Sequence, residues 1–495
     1  MDSAPTTDRI RRPHMTIRRR FLSAAALCPL ALLLGANGPA PEEAPPTTGS
    51  PVAASSPAPS AESLPVGATP GVTPAHADGA SLGSATAAEP GPQQGAGAHG
   101  GEQAAPAVAA VEPGMVPPSP VPSRLTAPPM AKLQSMPRGL DLLARAKLQG
   151  ERLVVKEKDG QERVLTVDPV LQASLTKILR DYAVPYGAAV VLEPSTGRVL
   201  ALAEHSEAQP DLRGLPYRAV FPAASIFKIV TGSALLEAGV TPSMEECFHG
   251  GKRRLTERNL EDTERDGACY SLALAMGKSA NVVFAKLTQK HLTADSLRRM
   301  AARFRFNREI AFPVPMDVSL AAVPEEGFDL ANTGAGFGDI YLSPLHGALM
   351  ASVAANDGRW VDPVLVEPPQ GSPLLAAEGE RVLEPAAAKA LTDMLEETVT
   401  HGTARAVFRE RAFRVDNAVG KTGTLADRSP FRDYSWFVGF APRDNPRVAV
   451  AALIVNDPKW RIRGTWLGRE ALRLGLQRVP APLEVTAPAA SAGTP

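Results

Sequence analysis

Ser225 and Lys228 stand three residues apart, Ser279 and Asn281 two apart, and Lys421-Thr422-Gly423-Thr424 form one run further along the chain. Side chains of these types can carry out acyl transfer through a serine ester. A serine hydroxyl becomes a nucleophile when a neighbouring base takes its proton, and a lysine held neutral can be that base. A second hydroxyl with an amide can relay a proton and orient the reacting groups, and a cationic strand edge suits an anionic substrate. Ser-x-x-Lys also occurs at Ser174 to Lys177. Ser174, however, falls within the amphipathic run Leu171, Leu175, Ile178, Leu179 that Asp168-Pro169 starts, so it reads as a solvated mid-helix residue.

The elements that must position these groups can be read from their surroundings. Ser225 follows Phe221-Pro222 and opens the apolar stretch Ile226 to Leu236, which predicts the first turn of a helix that Gly239 ends. A spacing of three sets Lys228 on the same face one turn on, and the unpaired N–H groups at a helix start favour negative charge developing at the serine. Ser435 to Ala441 and Arg447 to Val455 are apolar, strand-like runs separated by the turn cluster Pro442 to Pro446. Lys421, just before them, is expected on an edge strand of an antiparallel sheet. Taken singly, Ser279-Ala-Asn281 is also a helix-start turn and Gly423 a hairpin-edge glycine; their joint order in one chain carries the chemical reading.

With the three motifs in this order, the chain resembles the transpeptidase domain of penicillin-binding proteins, within the superfamily that also holds the serine β-lactamases. The resemblance covers residues 165 to 480. Gly187 to Ala203 is similar to the family's opening hairpin, Val167 to Gln172 to the segment before it, and Leu342 to His346 with Ala354 to Gly358 to the stretch before the last motif. His346 stands where the family usually has glutamine, read here as surface variation, and Phe337 departs from a Gly-Gln-Gly. The resemblance implies an α+β fold of the β-lactamase/transpeptidase type, with a central antiparallel sheet flanked by helices and a helical subdomain carrying the Ser-x-Asn motif.

What each chemical step requires then assigns roles. Ser225 is the nucleophile, Lys228 the base, Ser279 the relay to the leaving amine, and Asn281 the holder of Lys228 and of the substrate's peptide group. Lys421, Thr422 and Thr424 meet a terminal carboxylate, while Gly423 keeps the strand edge clear. The resemblance implies that the backbone N–H groups of Ser225 and Thr424 form the oxyanion hole. It also implies the substrate, a peptidoglycan stem peptide ending in D-Ala-D-Ala, with β-lactam antibiotics acylating the same serine. The expected enzyme is an acyl-serine D,D-transpeptidase without a cofactor. Three alternatives stay open: a D,D-carboxypeptidase of the same fold, a serine β-lactamase, and a non-catalytic β-lactam-sensing or wall-binding module. Against the β-lactamase, the Glu-x-x-Leu-Asn loop that one class needs is absent, and another class usually carries Val or Ile where Asn281 stands.

The remainder of the 495 residues frames this domain. Residues 37–131 consist largely of Pro, Ala, Gly and Ser and hold too few large apolar side chains to offset chain entropy, so they are expected to be a disordered tether. Residues 132–164 form a short lead-in, and 481–495 share the tether's composition. Arg18-Arg19-Arg20, with Arg9, Arg11 and Arg12, precede the apolar run Phe21 to Ala36. Residues 1–36 therefore read as a basic cytoplasmic start with an export signal or membrane anchor, which would put the catalytic domain on the periplasmic side of a bacterial membrane. Net charge is +0 and no face is rich in lysine or arginine, so nucleic acid is not an expected partner. The charges from Lys252 to Arg265 alternate in sign and read as a solvated excursion. Cys247 and Cys269 flank it and are expected to form a disulfide in an oxidising compartment. No ligand set at metal-binding spacing occurs, so no metal is expected.

Overall fold

The apolar runs pair into one five-stranded antiparallel sheet: β1 (Tyr186–Leu192), β2 (Val199–His205), β3 (Val419–Arg428), β4 (Phe431–Ala441) and β5 (Val448–Asn456), in the spatial order β3-β4-β5-β1-β2. The structure is a computed structural model, and it describes residues 129–252, 254–369 and 379–479. The expected anchor or signal (1–36), the tail (481–495) and the tether as far as residue 128 lie outside the described residues.

Seven helices matter for the site: α1 (Pro169–Asp181), α2 (Lys228–Glu237), α3 (Leu272–Lys278), α4 (Asn281–His291), α5 (Pro344–Ala355), α6 (Pro385–Thr400) and α7 (Gly464–Arg478). The strands read as unbroken apolar runs because both sheet faces are covered. Side chains alternate between faces, so Val448, Val450, Ala452 and Ile454 of β5 pack with Leu175 of α1 and Leu467 and Leu472 of α7. Ala449, Ala451, Leu453 and Val455 face the other way, into the core that holds Leu345 and Leu349 of α5. Ser174 sits half-buried on α1 with its hydroxyl donated to the Val170 carbonyl, and Asp168 caps the helix by accepting from the N–H groups of Val170 and Leu171.

Four features differ from or add to the sequence reading. Strand β4 begins at Phe431 rather than Ser435, because it pairs with β3 from Arg428↔Phe431 onward while β5 joins only from Asp433↔Asn456. That two-stranded arm is too polar to register as an apolar run. Within the lead-in, Lys147–Gln149, Arg152–Lys156 and Glu162–Val164 form a small sheet, and Met130 and Met136 are buried, so packing begins within the last residues assigned to the tether.

The other two are corrections. His346 is not a surface residue: it is fully buried on α5, its Nε2 lies 2.6 Å from the Phe304 carbonyl oxygen, and its ring packs against Phe306 and Trp360. Every residue of α5 from Pro344 to Ala354 is buried, so the position has no route to solvent. The charged excursion after Lys252 is not simply solvated either. Asp262 and Asp266 reach Lys286 on α4 at 2.7 and 2.8 Å, and the Lys286 side chain is fully buried. A buried ammonium needs such partners, and they pin the excursion onto α4.

Candidate active site

Ser225 lies in the 3-10 turn Ala224–Phe227, which runs directly into α2. The turn starts at an unusual conformation, with Ala224 at φ +50. Behind it stands Gly336 at φ +91, where an added Cβ would lie 2.4 Å from the Ala224 carbonyl oxygen. Only glycine suits both that dihedral and that approach.

Lys228, first in α2, is fully buried. Its Nζ lies 2.9 Å from Ser225 Oγ and 2.8 Å from Asn281 Oδ1, and it also donates to the Ala335 carbonyl. Burial, and then the charge of Lys421, hold its pKa well below that of an ordinary lysine. A neutral amine has two protons and one lone pair. The Asn281 and Ala335 oxygens can only accept, so they take the two protons and leave the lone pair facing the serine hydroxyl. The geometry thus orients Lys228 to receive the Ser225 proton.

Ser279 closes α3 in the left-handed conformation, φ 54 and ψ 42, and so turns the chain to let Asn281 open α4. The helix-start turn and the functional motif are one and the same piece of backbone. Lys421 comes from β3, the edge strand, as expected. Its Nζ donates to Ser279 Oγ at 2.9 Å and to the Thr422 carbonyl at 2.8 Å, and burial pushes its pKa down to about 7. Two serines and two lysines from three separate stretches therefore share one cleft.

The remaining motif residues divide. Thr422 and Thr424 share a side of β3 by strand alternation; Thr424 is exposed, whereas Thr422 is buried with its hydroxyl 2.5 Å from that of Thr403. Gly423 serves packing as well as access. A Cβ there would come 3.1 Å from Ile226 Cγ1 and 3.3 Å from the Ala223 carbonyl, so a bare backbone lets β3 lie against the nucleophile turn. Cys247 and Cys269 face each other across the hairpin Glu245–Phe248 and Ala268–Ser271 and are joined as a disulfide. Among the described residues no group of three or more His, Cys, Asp or Glu side chains is placed to hold a metal ion, and no helix is long and apolar enough to cross a membrane.

Sequence reasoning missed two participants. One is the Ala335 carbonyl, whose signal was the glycine-rich Gly334-Ala-Gly336-Phe-Gly338; the other is Thr403, in the Gly402-containing turn after α6.

The chain is similar to known proteins in sequence and in fold. The family described as penicillin binding protein transpeptidase domain matches residues 187–465, more than half of the chain. The peptidoglycan D,D-transpeptidase PbpA of Mycolicibacterium smegmatis is 29% identical over 311 residues, which cover 54% of this chain and 61% of that protein. The protein of the same name in Mycobacterium tuberculosis is 28% identical over 365 residues, covering 64% and 72%. Among solved structures, penicillin-binding protein 3 of Mycobacterium tuberculosis, complexed with aztreonam, superposes with a TM-score of 0.53 at 22% identity, covering 65% of this chain and 81% of that one. The D,D-transpeptidase domain of a peptidoglycan glycosyltransferase from Eggerthella lenta gives 0.52 at 24%, covering 66% and 95%. These two establish the likeness of fold.

Proposed function

The chain belongs to the penicillin-binding protein transpeptidase family, and on that premise we propose that it is a serine D,D-transpeptidase cross-linking peptidoglycan stem peptides that end in D-Ala-D-Ala, with β-lactams acylating the same serine. The observation that carries the proposal is the buried Lys228 amine, whose two carbonyl-type partners leave its lone pair for Ser225.

Ser225 Oγ attacks the carbonyl carbon of the penultimate D-Ala as its proton passes to Lys228 Nζ. The oxyanion forms against the backbone N–H groups of Ser225 and Thr424. As the C–N bond breaks, the departing D-Ala amine takes a proton from the Ser279 hydroxyl, and the Lys421 ammonium 2.9 Å away replaces it. The carboxylate that Lys421 had held leaves with that D-Ala. An incoming amine from a second stem peptide then attacks the ester and gives up its proton through Ser279 to Lys421, while Lys228 returns a proton to Ser225. Each group regains its starting state, and the product is a cross-link.

Peptidoglycan lies outside the cytoplasmic membrane, so this reading includes export of the domain. The basic start and the apolar run Phe21 to Ala36 supply a signal or anchor for it.

The test is acylation by a fluorescent penicillin, followed over hours, beside a Ser225→Ala variant. Stable labelling that Ser225→Ala abolishes is expected, with dimeric product when a stem peptide and an acceptor amine are supplied together. Rapid loss of label with drug hydrolysis would indicate a β-lactamase, and tetrapeptide without dimer a carboxypeptidase. No labelling of the folded protein would sink the enzymatic reading.

A further inference from the structure

The turn His401-Gly402-Thr403, which follows α6, is wedged between the elements that carry the second and third motifs. Thr403 N donates to the Gly277 carbonyl at 3.0 Å, two residues before Ser279, and Lys278 Nζ donates to the His401 carbonyl. A Cβ on Gly402 would lie 2.0 Å from the Gly277 oxygen, and one on Gly277 would lie 2.7 Å from Glu397 Cβ, so turn and helices meet through bare backbone. From this fixed platform the Thr403 hydroxyl reaches across to Thr422 Oγ1 at 2.5 Å, next to Lys421 on the edge strand.

We propose that Thr403 is a positioning residue for recognition of the substrate's terminal carboxylate: its O–H donates to Thr422 Oγ1, so that the Thr422 proton is left pointing into the cleft. The proposal rests on the transpeptidase reading of the site. Each hydroxyl has one proton and two lone pairs. Thr403 has one other acceptor in reach, the Gly277 carbonyl, which lies 3.5 Å from its Oγ1 and already accepts the Thr403 N–H. Its proton is better placed on Thr422. An anion in the cleft wants donors only, and a line of O–H dipoles aimed at it strengthens along its length. The Thr424 hydroxyl, exposed on the same side of β3, supplies the second donor.

The test compares Thr403→Val and Thr403→Ser with the wild type, using a penicillin and its uncharged methyl ester and separating the pre-covalent Kd from the acylation rate constant. Thr403→Val should weaken the Kd of the free acid about fivefold, the net worth of one neutral hydrogen bond, and leave the acylation constant and the ester's Kd within about twofold. Thr403→Ser, which keeps the hydroxyl, should behave as wild type. The acid-to-ester ratio guards against a merely loosened fold, which would weaken both ligands alike. An equal loss for acid and ester, or none for the acid, would overturn the inference while leaving wild-type labelling, and so the transpeptidase reading, intact. If the wild type takes up neither ligand, the transpeptidase reading and this inference fall together.

Discussion

Mild acid should unfold this domain in part through His346, a residue with no part in the chemistry. Its ring is fully buried, and Nε2–H is taken by the Phe304 carbonyl. Nδ1, where a second proton would have to go, has no hydrogen-bond partner. Burial, together with the nearby Arg305 guanidinium, pushes its pKa down to about 4 against an ordinary value of 6.5. In the unfolded chain the ring takes up its proton first, so the stability is complete above about pH 6.5 and is lost as the pH falls towards 4. A shift of that size costs about 2 kcal/mol by pH 5 and about 3 kcal/mol at most. Glu204 works the other way. Burial raises its carboxyl to about 7, so its unfavourable ionisation is relieved as the pH drops and the wild-type curve mixes both effects. Urea unfolding of the wild type and His346→Gln at pH 7.5 and 5.0 separates them, because Glu204 contributes equally to both proteins. Glutamine can still donate an N–H to Phe304 but does not titrate. The wild type should lose about 2 kcal/mol more than the variant between the two pH values. Parallel losses, or an NMR titration of the folded His346 ring near 6.5, would refute the reasoning.

Three further outcomes are expected. Lys228→Met should slow acylation by roughly 10²- to 10⁴-fold, the usual contribution of a positioned base, without unfolding the protein; stopped-flow labelling checks it, and a loss under tenfold would remove Lys228 as the base. Replacing both Cys247 and Cys269 by serine opens a loop of sequence separation 22 and should cost about 3 kcal/mol in urea unfolding, with no change under reducing conditions, where the wild type should fall to match. Gly402→Ala would force a Cβ to within 2.0 Å of the Gly277 carbonyl. It should cost about 1–3 kcal/mol and slow acylation as well, since relief of the clash moves the helix that ends at Ser279; an active, fully stable variant would contradict the close packing.

Strand and helix identities around the motifs were legible because hydrophobic periodicity reports burial directly: β5 reads as a run since both its faces are covered, and α1 reads as amphipathic since one face is exposed. The motif side chains were legible as well, because Ser-x-x-Lys spacing in a helical turn already fixes that pair. Backbone participants were hidden. The Ala335 carbonyl carries no side-chain signature, and only the glycines around it hinted at a close approach. Thr403 was hidden because a single threonine after a helix is unremarkable until the fold brings Thr422 beside it. His346 was misread for a related reason. A polar residue on a helix is assigned to solvent by pattern, yet α5 is buried all round and the ring finds the Phe304 carbonyl in the core.

Two lysines in one dry cleft raise an electrostatic question that the geometry answers. Both are fully buried, so water does little to support either charge, and each proton makes the other harder to keep. The pair therefore loses its protons in two separated steps. Lys228 feels the Lys421 charge in addition to burial, which favours its giving up a proton first and leaving one ammonium, on the edge strand. An anionic substrate reinforces that order. A carboxylate beside Lys421 raises the affinity of Lys421 for its proton and acts more weakly on Lys228, which faces Ser225 and Asn281 instead. On the proposed mechanism, binding of the carboxylate would favour the one protonation pattern, neutral Lys228 with charged Lys421, in which Ser225 can be activated and Ser279 resupplied with a proton. Recognition and activation are then coupled through a single shared charge, that of Lys421, so it is the bound carboxylate itself, and not the hydroxyls that orient it, that would set the protonation pattern.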